Sequence, residues 1–158
     1  MFQQQLINIP EFAGTSPLSW WRSAPAHSLS VREANRVRRE LRGVALYGEP
    51  AWKDAVHGDA AAAIGVAIRI AVRQPCMDPL LDMAMSPVLV AAIEGDAAAR
   101  LFMSHILTKR VPVDEGAKVL AASWLEANRV AAQTAKSAKS APLMRPPRRR
   151  RVMSCARR

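Results

Sequence analysis

Cysteine is nearly absent, with Cys76 and Cys155 alone among 158 residues. Two such distant thiols make no disulfide framework, so a reducing compartment is expected. Aromatics are also scarce (Phe 3, Trp 4, Tyr 1), whereas alanine fills 29 positions. That balance favours helix over β-branched, aromatic-rich strand. Seven glycines against eleven prolines argue against the closely spaced Gly-rich turns of an all-β sandwich. No apolar run reaches the roughly 18 residues of a membrane span. The nearest, from Ala60 to Ala71, is interrupted by Arg69 and followed by Arg73. The first ten residues lack the basic start and long apolar stretch of a secretory signal. The expected location is cytoplasmic, or nuclear in a eukaryote, with no membrane partner.

Catalytic groups are equally thin. No Gly-rich loop with a lysine follows a strand, and no Cys/His spacing suits zinc. His27, His57 and His105 have no identifiable orienting partner, which a general base needs. His105, among Leu101, Phe102 and Ile106, is expected to be packed and hydrogen-bonded. Neither cysteine has a neighbour that would favour a thiolate. Asp78 and Asp82, four apart, can share a helical face. Two carboxylates without a third ligand or a Gly turn are an ordinary solvated pair rather than a cation site. No enzyme activity, metal or cofactor is expected.

Acid is missing altogether from the C-terminal end, and the charge divides accordingly. Residues 1–48 carry six Arg and three Glu, and residues 49–135 carry eight basic and ten acidic groups. Residues 136–158 carry nine basic groups and no acid, which supplies most of the net +10. A polyanion is therefore more readily gripped by an end than by the middle.

Within residues 1–29, Pro10, Gly14, Pro17 and Pro25 interrupt every candidate element, which predicts an irregular lead. Trp20 and Trp21 are the exception. Two adjacent rings are costly to leave in water, so they are expected to fold back onto the body. The alternative is a short linear motif that binds a protein partner.

A helix is predicted from Ser30, where Ser30 and Glu33 have capping-box spacing. Val31, Ala34, Val37, Leu41, Val44 and Ala45 share its apolar face, and Arg32, Arg36, Arg39 and Arg42 the opposite one. Gly48 and Pro50 close it.

An internal repeat of period 37 follows. Pro50–Pro75 aligns without gaps on Pro87–Pro112 with nine identities in 26 positions, Gly58/Gly95 and Asp59/Asp96 among them. Each unit reads as a short helix opened by proline, a Gly-Asp corner and a longer helix. The longer helices, 60–74 and 97–110, are apolar nearly all round and are expected to be central and mutually packed. Pro75 to Ser86 reads as a connection containing at most one helical turn. A last helix is predicted from Asp114 to about Lys136, with Ala117, Leu120, Ala121, Trp124, Asn128 and Ala131 on its buried stripe. Residues 136–158 are low-complexity, basic and proline-broken, and are predicted to be disordered.

The sequence thus predicts an all-α fold: a small helical bundle over 30–135 built on a duplicated helix–Gly-Asp–helix unit. A base-reading helix-turn-helix at Ala91–Gly95 is rejected, because Glu94 and Asp96 would place acid where apolar residues belong. The expected function is a non-enzymatic accessory protein that binds nucleic acid, DNA or RNA, nonspecifically. Its contacts are Arg145, Arg148, Arg149, Arg150, Arg151, Arg157 and Arg158 in the tail, helped by Arg32, Arg36, Arg39 and Arg42. The body would engage a protein partner or a second copy. The alternative is a protein–protein adaptor or assembly factor whose tail only solubilises or targets it.

Overall fold

The computed structural model describes residues 15–73, 79–112 and 114–140, with side chains described through residue 137. Two short 3-10 helices, Pro17–Arg22 and Ala26–Ser28, precede six α-helices. These are α1 (Val31–Leu41), α2 (Trp52–Val56), α3 (Ala60–Arg73), α4 (Pro79–Glu94), α5 (Ala97–Arg110) and α6 (Gly116–Ser140). No strand occurs among the described residues, so the fold is an all-α helical bundle. None of these helices is long and apolar enough to cross a membrane.

The centre of the bundle is α4. Ten of its sixteen residues are buried, including Leu81, Met85, Val88, Leu89 and Ala92. Helices α1, α3 and α5 each pack against it, while α3 and α5 meet only marginally. The expected central pairing of α3 with α5 is therefore corrected. Ile68 and Val72 of α3 and Leu101 of α5 stay exposed, so these helices are apolar all round without being buried all round.

The segment expected as a connection is largely the first half of α4, which runs unbroken through Pro87. An interior proline removes the N–H that would bond the Met83 carbonyl, a cost of order 3 kcal/mol. Pro87 is itself buried, and packing on three sides of α4 outweighs that local penalty. Pro50, by contrast, does lie just before a short helix, as expected.

At the Gly-Asp corners the two aligned stretches match bond for bond. Gly58 and Gly95 take φ values of 106° and 107°, a region costly for any side chain. Gly58 N–H donates to the Ala55 carbonyl at 3.2 Å, and Gly95 N–H to Ala92 at 3.3 Å. Asp59 N–H donates to Asp54 and Asp96 N–H to Ala91, each at 3.0 Å. The Asp59 and Asp96 carboxylates then accept from Ala62 N–H (2.9 Å) and Ala99 N–H (2.7 Å), capping α3 and α5.

The lead is not loose over residues 15–29. Trp20 and Trp21 are 2% and 0% exposed, in the same core as Val37, Leu41 and Met85. At about 25 cal/mol per Å² and 150–250 Å² per ring, each contributes at most about 4–6 kcal/mol of burial. Asp82 fixes their register, accepting from Trp21 Nε1 at 2.9 Å and from Arg22 Nε and Nη2 at 2.8 and 2.7 Å. The second 3-10 helix is tied to α6, where the Ser123 hydroxyl accepts from Ala26 N–H at 3.0 Å.

Helix α6 packs on α5 through Ala117, Ala121 and Trp124 and then leaves the body. Residues 132–137 are exposed on every side, and the helix continues to Ser140. The first five residues of the predicted disordered tail are thus helical. The rest of that tail lies outside the described residues.

Candidate nucleic-acid interface

Helix α1 builds its cationic face on a well-made N-terminus. Ser30 N–H donates to the Glu33 carboxylate at 2.9 Å, and the Ser30 hydroxyl accepts from Arg32 N–H at 3.2 Å. Partial burial opposes ionisation of Glu33, but the Ser30 hydrogen bonds prevail and hold its carboxyl below the usual value. Ala34, Val37 and Leu41 face the core. Val31, expected on that buried face, is instead 60% exposed in the first turn of the helix. The helix stops at Leu41, so Val44 and Ala45 belong to the following loop rather than to the stripe.

Arg32, Arg36, Arg39 and Arg42 are all exposed; the first three follow the 100° periodicity of α1, and Arg42 is its extended C-cap residue. Among the described residues these four form no ion pair and donate no side-chain hydrogen bond, although Arg36 lies 5.6 Å from the Trp20 ring centroid. Every other described arginine has a carboxylate or carbonyl partner. Arg22 pairs with Asp82 at 2.7 Å and Arg38 with Glu94 at 2.5 Å. Arg69 and Arg73 share the buried Glu49 carboxylate at 2.8 and 3.2 Å. Arg100 donates to the Ala92 and Ala127 carbonyls, and Arg129 pairs with Glu126.

Arg110 lies 5.2 Å from the Trp21 centroid and 3.8 Å from Asp114. Burial and the neighbouring Arg22 lower its pKa, while Asp114 and Asp82 oppose the shift. The hydrogen bond to Asp82 has the opposite effect on Arg22 and raises its pKa.

Compared with protein families, with curated proteins and with solved structures, the chain matches none.

The tail arginines Arg145, Arg148, Arg149, Arg150, Arg151, Arg157 and Arg158 lie outside the described residues, as do Cys76, Asp78 and Cys155. The two tryptophans proposed for a partner are instead core residues, held by burial and by Asp82. A linear motif would need those rings in solvent. Asp82, weighed as a cation ligand, has its oxygens occupied by Trp21 and Arg22. No group of three or more potential metal ligands occurs among the described residues.

His27, His57 and His105 are all exposed. The expected packing of His105 is corrected: it occupies the outer face of α5, whose inner face is Ala99, Met103 and Leu107. His57 Nδ1 is 2.6 Å from the Lys53 carbonyl, which can only accept, so this nitrogen carries the proton.

Proposed function

We propose that the protein is a non-enzymatic accessory factor that holds nucleic acid nonspecifically through its arginines. The supporting observation is the division of labour among them: seven described arginines have a carboxylate or carbonyl partner, while Arg32, Arg36 and Arg39 on α1 and Arg42 at its C-cap are left facing solvent. Unpaired guanidiniums on one helix face can each displace a condensed counterion from a phosphodiester backbone. The seven tail arginines would add reach and most of the charge, tethered beyond the projecting end of α6. Contacts of this kind set affinity and carry no base readout. The exposed Ile68 and Val72 on α3 support the second part of the proposal, engagement of a protein or of another copy.

Fluorescence anisotropy of labelled duplex and single-stranded probes tests it, using the full chain and a chain ending at Ser140. Binding by the full chain, weakened at least tenfold by the shortening, is expected. Absence of binding by the full chain at about 0.1 M salt would overturn the proposal and favour the adaptor.

A further inference from the structure

A groove of about 420 Å³ opens where α1 ends. Its apolar wall is formed by Leu41, Val44, Trp52 and Val56. Arg42, Lys53 and His57 also line it, and no carboxylate does. Two other surface grooves differ in that respect, since Glu49 lines one and Glu126 the other. Trp52 donates its indole N–H to the Val44 carbonyl at 2.8 Å and is only 5% exposed, so it backs the groove as a core residue and leaves the half-buried Val44 and Val56 as the accessible apolar surface. With Nδ1 of His57 held by the Lys53 carbonyl, Nε2 is the nitrogen left for a ligand. Arg42 belongs to two features at once: it is the last arginine of the α1 face and a lining residue of the groove.

We propose that this groove seats an unpaired base of a nucleic-acid single strand. The base would lie against Val44 and Val56, with the flanking phosphates on Arg42 and Lys53 and the strand continuing along Arg39, Arg36 and Arg32. The inference rests on the nucleic-acid reading above and narrows it. Charge complementarity selects a polyanion, and the apolar wall selects one whose bases are free to leave a stack. Single-strand binders commonly combine a cationic track with apolar and aromatic base contacts, without sequence preference. A duplex keeps its bases stacked and offers this wall nothing.

The test compares the full chain on a single strand of roughly 12 nucleotides and on a duplex of equal length. Oligo-dT and oligo-U probes distinguish the two sugars. Tighter capture of either single strand than of the duplex, by about tenfold, is expected. Ala45 is exposed and lines the groove, so Ala45→Leu would narrow it without adding a ring on which a base could stack. This variant is expected to abolish the single-strand preference while leaving duplex binding unchanged. A 4-thiothymidine probe on the unaltered chain should photocrosslink within residues 41–57, independently of any variant's folding. Undiminished preference in Ala45→Leu, or crosslinks confined to other segments, would overturn the groove assignment and leave nucleic-acid binding standing. If no probe binds, both fall.

Discussion

Asp82 is a carboxylate whose role lies some sixty residues away from it. It accepts three hydrogen bonds from Trp21 and Arg22, and so fixes the first 3-10 helix against α4. Asp82→Ala is expected to cost about 2 kcal/mol in urea denaturation, because it leaves an indole N–H and a guanidinium without their acceptor. An unchanged midpoint would mean that ring burial alone docks the lead. Ser30→Ala should cost about 1 kcal/mol by the loss of a cap.

The Glu33 carboxyl is held below its usual value, so its contribution is complete above the unfolded pKa near about 4.3. That contribution is lost as pH falls through the lower, folded value. Glu33→Gln should flatten this acid-side decline in thermal melts, and an unaltered slope would contradict it. The capping box was legible in sequence because its partners are three residues apart. Asp82 was not, since no local pattern reveals a partner sixty positions away.

At the scale of elements, the two Gly-Asp corners make a paired prediction. Their φ values and hydrogen bonds coincide, so Gly58→Ala and Gly95→Ala should destabilise by similar amounts, about 1–2 kcal/mol each. A Cβ at Gly58 meets nothing within 4 Å and one at Gly95 approaches Arg100 only to 3.8 Å, so sterics do not separate them. Widely different chemical-denaturation midpoints would contradict the equivalence. These corners were legible because glycine at a helix end and aspartate at a helix start act locally. Pro87 misled for the same reason. Proline marks a helix start by its own geometry, but burial of α4 from three sides keeps one helix where local preference places two. Likewise, the composition of α3 cannot say which of its apolar faces finds a neighbour. Val72 is 78% exposed while Val66 is buried.

For the whole molecule, helical class and charge segregation were readable because they depend on composition and period. Which helix occupies the centre was not, as it depends on tertiary contacts between segments. The α1 arginine face was visible as a stripe. That its arginines alone, among the described arginines, lack a carboxylate or carbonyl partner emerges only when each of the others is traced to its own. The central claim is that these free guanidiniums meet phosphates. The most direct test is the salt dependence of duplex binding by the full chain and by a triple Arg32→Gln, Arg39→Gln, Arg42→Gln variant. Arg36 is kept because it lies over Trp20. The slope of log K against log salt should become shallower by roughly 2 to 3, about 0.9 for each phosphate contact removed. An identical slope in the two proteins would show that α1 touches no phosphate, and would contradict the account.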